Sequence, residues 1–473
     1  MITKYVLPIL LSFGSHLVAQ DEPDSKPTSQ PTDTAEDRPS ETKDDDAADA
    51  EEDRFTVIRG ADVYTGTGSM LRRASILIKN DKIEAVGHDL DVPDGATEID
   101  ATGKAVSPGF VSVGSSGFGA PGTFRLEEVA DGLNPWDPSI KLGLAAGITS
   151  FGMMANEGRD VPRGKSAVLK LAPGDLEGML CATDTILSMR MPLDRQQWRK
   201  LRELVDQARE HLDAVAKFEE EQKSSAGKSE DKKSNDGKDS AKGGKKKDDP
   251  KPPKPPRGTE EILDLLAGKK LLWIDLGNAS RGWFMGGPTN SDNEKVRQGL
   301  EVAELLGRGV VFNRPITGWV YADRIARTGS MAILEPRSRV EPDEGNPDIT
   351  GSNLASAAIL ADAGVPVAVM SPTSNLTLMG LYGQDVNTLH VDAAYAVRGG
   401  LDNRKGLRTI TLDAAKMLGV DARIGSIEPS KDADLLILTG DPLHYASLVD
   451  TAIVNGKVVY ERQKETFYSH ISR

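Results

Sequence analysis

The hydrophobic positions of this chain change period twice, and those changes divide it. From Phe55 the apolar residues alternate, at Phe55, Val57 and then Val63 in FTVIRGADVYTG, and along both arms of ILIKNDKIEAVG, with Asn80-Asp81 between the arms. Period two around a polar dipeptide predicts a β-hairpin. ATEIDATGKAVSPGF adds further short strands, and the same grammar returns in RIGSIEPSKDADLLILTGDP and DTAIVNGKVVYE, with a turn at Asn455-Gly456. Between these ends helical spacing takes over. Trp198, Leu201, Val205, Ala208, Leu212 and Val215 mark one face of a helix predicted over 196–218, with Asp194 placed to cap it. Leu271–Ile274, Val310–Phe312 and Val367–Met370 are short apolar runs that follow helix-like stretches ending in Gly, and they read as buried parallel strands. The order predicts an α/β protein: a (β/α)8 TIM-like barrel over 108–424, with a small composite β-sandwich-like domain built from 54–107 and 425–465.

Two polar tracts interrupt this pattern. Residues 21–53 are rich in Asp, Glu, Pro, Ser and Thr and nearly free of large apolar side chains, so they read as a disordered acidic leader. A second tract, about 221–257, mixes both charge signs with Gly, Ser and Pro and reads as a disordered insertion looping out of the barrel. Residues 1–20 combine one early lysine, an apolar run from Tyr5 to Phe13 and a small-residue ending, the form of a cleaved secretory signal. The run is too short to span a bilayer. Export to the periplasm or the exterior is therefore expected, with no membrane span. No cysteine lies near the end of the signal, so a lipid anchor is not expected.

Composition narrows the function. The net charge is −14, but residues 21–54 hold 14 acidic and 4 basic side chains and so supply −10 of it. The remainder carries no basic field suited to a phosphate backbone, which excludes a nucleic-acid partner. The lone Cys181 cannot close an internal disulfide, so the exported chain must stand on its core.

The blocks Val57–Gly60, ILIKNDKIEAVG, IDATGKAVSPGF, GLAAGITS (Gly143–Ser150), KSAVLKL (Lys165–Leu171), Leu407–Leu438 and AIVNGKVVY (Ala452–Tyr460) together resemble the amidohydrolase superfamily, nearest the imidazolonepropionase-like metal-dependent hydrolases. The resemblance implies the barrel with its composite β domain. It also implies a metal-bound hydroxide that attacks a C–N bond, with an aspartate on the last barrel strand moving protons. In such enzymes the first strand reads Pro-Gly-hydrophobe-Ile/Val-Asp-x-His-x-His. Here Ser112 stands at the Asp, and Gly114 and Ser116 stand at the two histidines. On the later strands Asp275 or Gly277 and then Asn313 occupy histidine positions, and Pro372 takes that of the catalytic aspartate. No histidine occurs anywhere in 212–389, so these losses do not depend on register.

Little else offers chemistry. His16, His88, His211, His444 and His470 read as leader, surface or tail residues, and His390 alone falls near the barrel mouth. Lys170 resembles the modified lysine that bridges metals in some relatives, but without its companions it reads as structural. GLYGQD (380–385) and FMGGPTN (284–290) lack the residues of a phosphate loop. Ser115 and Ser116 have no base positioned for nucleophilic work. Trp273, Trp283 and Trp319 either line a pocket or fill core. The expectation is an exported amidohydrolase relative with no catalytic residues, no bound cofactor and no metal ligands, its barrel kept as a binding or structural scaffold. Its partner is an unidentified small molecule or protein, and a homo-oligomer is left open. The alternative is an active hydrolase of non-peptide or dipeptide C–N bonds through a rebuilt metal site using Asp275, Asn313 and His390.

Overall fold

Strand-forming residues at period two build the first layer. β1 (Phe55–Tyr64), β2 (Met70–Lys79) and β3 (Lys82–Gly87) form an antiparallel meander. Asn80 turns β2 into β3 with φ +56°, a conformation asparagine tolerates better than most residues. β4 (Thr97–Asp100) and β5 (Ala105–Pro108) run parallel to β1. The computed structural model describes residues 53–115, 117–120, 129–154, 162, 164–230, 252–277, 291–371 and 388–465. All of them belong to the unit Asp53–Arg473.

The chain leaves the first sheet at Gly109. A Cβ there would lie 1.9 Å from Thr149 Oγ1 and 2.6 Å from Thr149 Cβ, so only glycine lets the backbone approach this closely. That approach seats β6 (Phe110–Ser112) beside its parallel partner β7 (Ile148–Met154). β8 (Ser166–Lys170) and β9 (Leu180–Thr183) extend this sheet with antiparallel pairings. Next, β10 (Ile186–Arg190), β11 (Leu271–Asp275), β12 (Val311–Asn313), β13 (Met331–Leu334) and β14 (Val367–Val369) form an all-parallel sheet in chain order. The three predicted apolar runs are β11, β12 and β14; β13 was not among them.

The faces of the parallel sheet have different partners. Leu272, Ile274, Phe312, Ala332 and Val367 share a core with Ile262, Leu300, Ile325, Leu360 and Ala393 from the helices Glu260–Ala267, Ser291–Leu306, Ala322–Arg327, Ser356–Asp362 and Leu389–Arg398. The opposite residues, Ile186, Trp273, Val311, Ile333 and Ala368, bury instead with Val111 of β6, with Val113 just beyond it and with the helix Leu412–Met417. The strands thus have a helix-covered outer face and an enclosed inner one. Each substantially buried Val, Leu, Ile or Phe is worth about 1.5–3 kcal/mol, so the two faces together anchor the strand ends firmly.

The arrangement is the expected TIM-barrel-like α/β one, but no closed ring of strands is formed among the described residues. Strands β6–β9 and β10–β14 form two separate sheets, and β7–β8 and β8–β9 are antiparallel. Where a ladder between β14 and β6 would close the ring, Thr409 and Ile410 intervene. Val369 N donates to Thr409 O at 3.1 Å, and Val111 N donates to Ile410 O at 2.7 Å.

The C-terminal strands return to the first sheet. β15 (Leu435–Leu438) pairs antiparallel with β5, followed by β16 (Val449–Val454) and β17 (Lys457–Glu461). Asn455 (φ +50°) and Gly456 (φ +68°) make the predicted turn. Both chain ends therefore contribute to one eight-stranded sheet. The ladder is continuous and mixed, and its two ends meet where Ala433 N donates to Asp81 O at 2.7 Å; Ile58, Ile76, Leu435, Ile437 and Ile453 share its core.

A buried ionic cluster ties β8 to this sheet. Lys170 Nζ lies 2.7 Å from Asp432 Oδ2, 2.9 Å from Asp434 Oδ2 and 2.7 Å from Asn455 Oδ1. Asp432 also pairs with Lys82 and, at 2.8 Å, with Arg423. Burial alone pulls the Lys170 ammonium down, but Asp434 and Asp432 outweigh it and hold its pKa above the usual lysine value.

The long helix exceeds its prediction. Asp194 Oδ1 accepts from the backbone N–H of Gln196 and Gln197, at 2.8 and 2.9 Å, and caps it as expected. The helix spans Arg195–Glu230, however, so the first ten residues of the expected insertion are helical. Those residues, EQKSSAGKSE, carry Glu, Gln, Lys and Ala and no proline, which suits continuation. Residues 231–251 lie outside the described residues, as do the leader segments 1–20 and 21–52.

Candidate functional site at the strand ends

Register places the inner-face residues in rows. Arg190 on β10 pairs with Asp275 on β11, Asp275 with Asn313 on β12, Asn313 with Ile333 on β13, and Ile333 with Ala368 on β14. One row lower, Trp273 and Val311 are apolar and buried, and Trp273 Nε1 donates to Met417 O at 2.8 Å. Trp273 is therefore core. At the C-terminal strand ends the row turns polar, which is where a barrel of this kind gathers functional side chains.

Arginine meets carboxylate in this row and just beyond it. Asp275 is buried, with Oδ2 3.3 Å from Arg190 Nε and Oδ1 3.7 Å from Arg314 Nη2. Its Oδ1 also accepts from Gly277 N at 3.1 Å, and Gly277 turns the chain with φ +85°. Arg314 Nη1 lies 3.5 Å from Glu335 Oε1, while Glu335 Oε2 accepts from Ser338 Oγ at 2.7 Å. Burial outweighs Ser338 and Arg314 and raises the Glu335 carboxyl above the usual glutamate value. Arg337 and Asp392 form a second pair, with Nε–Oδ1 at 2.5 Å and Nη2–Oδ2 at 3.1 Å, and Ser371 Oγ donates to Asp392 Oδ2 at 2.8 Å.

The positions singled out in the sequence do not all meet. Ser112 is buried at the end of β6, its Oγ 2.6 Å from Ser115 Oγ. Gly114 faces Met370, whose Cε would lie 3.8 Å from a Cβ there. Asn313 sits beside Asp275 in the ladder, and its Oδ1 is buried with no hydrogen-bond partner among the described residues. Ser116, Trp283 and Pro372 lie outside the described residues. His390 stacks on Phe110, with centroids 6.4 Å apart, and the described contacts do not join it to Asp275 or Asn313. Burial lowers its imidazole pKa. Trp319 is half-buried, and its Nε1 donates to Gly351 O at 3.2 Å.

Sequence reasoning missed Arg190, Arg314 and Glu335. A signal existed: each is a charged residue at the end of an apolar strand, in LSMR, VFNR and AILE. Their mutual approach needed the strand register, which no single segment discloses.

Comparison with known proteins adds the following. The Amidohydrolase family profile matches residues 337–459. Imidazolonepropionase from Thermoplasma volcanium is 29% identical over 150 residues, 30% of this chain and 33% of that protein. Dihydroorotase from Lactobacillus helveticus is 38% identical over 101 residues, 21% of each chain. The match thus spans about a third of the first relative's length and a fifth of the second's. An amidohydrolase structure from Thermotoga maritima shares the fold, with a TM-score of 0.56 at 22% identity, covering 86% of this chain and all of that one.

These likenesses correct one expectation. The absence of a cofactor does not stand, because the matched family and relatives are metal-dependent, and a divalent metal is the cofactor they imply. The described side chains do not themselves make up such a centre. Among the described residues no three His, Cys, Asp or Glu side chains converge, and the carboxylates of Asp275 and Glu335 face guanidinium groups, which repel a cation.

Proposed function

Because the chain belongs to the amidohydrolase superfamily, we propose that its barrel mouth is a family site converted from hydrolysis to binding. One observation carries the proposal: Asp275, which with Gly277 shares the place where the resemblance implies a metal ligand, is paired with Arg190 and Arg314. A carboxylate held between guanidinium groups is a poor metal ligand, since its lone pairs already meet positive charge. Ser112, Gly114 and Asn313 likewise offer weak donors or none where the resemblance implies strong ones. The described strand ends carry a polar rim over an apolar, helix-supported wall, and this suits a bound small molecule.

The same proposal treats 54–107 and 425–465 as one supporting β domain for 108–424. It places the working protein outside the cytoplasm, on the strength of the signal-like segment 1–20.

A second reading has one specific observation in its favour. Glu335, partly buried at the strand ends with a raised pKa, has the character of a general acid. On that reading the chain is a hydrolase whose site has been rebuilt around Glu335 and Asp275.

A steady-state assay separates the two. The full chain, supplied with Zn²⁺ or Mn²⁺, is offered imidazolone, dihydroorotate and N-acyl amino acid substrates. The binding reading expects rates at the protein-free background. Turnover that disappears in Glu335→Gln would establish the rebuilt hydrolase instead.

A further inference from the structure

Beside the mouth, a cavity of about 80 Å³ opens between the ends of β12 and β13 and the segment 336–357. One water needs only ~10–15 Å³ of such space, so the cavity can admit a small molecule. Arg314, Glu335, Arg339, Ser352, Asn353 and Ser356 supply its polar wall, and most of the rest is aliphatic or proline.

The charges that line it do not cancel. Arg314 and Arg339 stand against Glu335, two guanidinium groups against one carboxylate, an excess of one positive charge. Arg339 is exposed and has no ion pair or hydrogen bond among the described residues. Arg314 is loosely held: its contacts at 3.5 and 3.7 Å exceed the ~2.7–2.9 Å of a well-made charge-assisted bond. Its Nε is buried without a hydrogen-bond partner among the described residues, as is Ser356 Oγ in the cavity wall. Arg314 also adopts φ +62°, a strained conformation for a non-glycine residue that the surroundings must enforce. Under-satisfied donors, a missing negative charge and a small semi-enclosed space meet at one place.

We propose that this cavity binds a small monocarboxylate bearing a hydroxyl group, the carboxylate held by Arg314 and Arg339 and the hydroxyl donating to Glu335. Lactate is small enough for such a space. A dianion such as phosphate fits less well, because Glu335 stands in the wall and only one positive charge is in excess. The proposal rests on reading the mouth as a binding region, and it adds the ligand class.

Isothermal titration calorimetry on the full chain tests it, with L-lactate, propionate and inorganic phosphate as probes. Lactate is expected to bind saturably at one site and more tightly than propionate. Arg339→Gln, an exposed change, is expected to weaken lactate by roughly tenfold through loss of a charge-assisted bond. Arg314→Gln should do the same if its melting temperature shows it folded. No saturable lactate binding, binding unchanged in Arg339→Gln, or tighter binding of phosphate each overturns the proposal. Hydrolysis of a C–N substrate by the same preparation would instead overturn the reading of the mouth, whatever the lactate result.

Discussion

Arg190 and Asp275 face each other across the β10–β11 ladder, with Arg190 Nε 3.3 Å from Asp275 Oδ2. The two arginines at Asp275 do not contribute equally. Arg190 is about half exposed and Arg314 only a fifth, so water screens the first pair more than the second. Arg190→Gln should therefore lower unfolding free energy by less than about 1 kcal/mol. Arg314→Gln removes a shared partner from buried Asp275 and partly buried Glu335 and should cost about 1–3 kcal/mol. Urea denaturation of both variants checks the order; equal losses would contradict the screening argument.

Lys170 is the largest single liability. It is buried against Asp432 and Asp434, so Lys170→Met would leave two buried carboxylates with less compensation. A loss of about 3–5 kcal/mol is expected from breaking a buried ion cluster on one side. A loss under 1 kcal/mol in denaturant melts would show the cluster to be incidental.

The same cluster sets a pH window. Burial by itself would raise the Asp432 carboxyl, but Lys170, Lys82 and Arg423 hold its pKa below the usual aspartate value. Its contribution is present above the unfolded aspartate pKa of about 3.9 and is lost as pH falls through the lower folded value. Lys170 has the opposite sign. Its raised pKa contributes fully below the unfolded lysine value of about 10.4 and fades as pH rises through the folded value. Stability should be level with respect to this cluster between roughly pH 4 and 10. Asp432→Asn should flatten the acid limb, which thermal melts across pH would reveal; an unchanged acid limb would assign it to other carboxylates.

Gly109 carries a packing prediction. Its Cβ position is occupied by the Thr149 side chain, including Thr149 Cβ, which rotamer change cannot move away. Gly109→Ala should cost about 2–3 kcal/mol through overpacking. Adding Thr149→Gly should restore part of that, a coupling that a double-mutant cycle measures. Additive losses would place the strain elsewhere.

How much of this was legible in the sequence depended on whether a feature was local. The hairpin at Asn80-Asp81, the Asn455-Gly456 turn and the Asp194 cap are set by adjacent residues, and each appeared where its chemistry pointed. β13 was missed because four apolar residues, MAIL, resemble a helix fragment as much as a strand. The antiparallel β8–β9 excursion and the intervening Thr409 and Ile410 depend on pairings between distant segments, which periodicity does not encode. The site divides in the same way. Ser112, Gly114 and Asn313 could be named from strand motifs, whereas the arginines at Asp275 emerge only when β10, β11 and β12 lie in register. His390 shows the converse: it lies near the mouth in the order of the chain but stacks on Phe110 in space.

A single-turnover assay tests the binding reading most directly, because it detects chemistry too slow for steady-state rates. Metal-supplied full chain in excess over dihydroorotate is quenched at intervals and the ring-opened product counted. The arginine-paired mouth predicts no product beyond the protein-free control. Product that forms with the wild-type chain and vanishes in Asp275→Asn would contradict it, and would show that Asp275 works on substrate despite its two arginine neighbours.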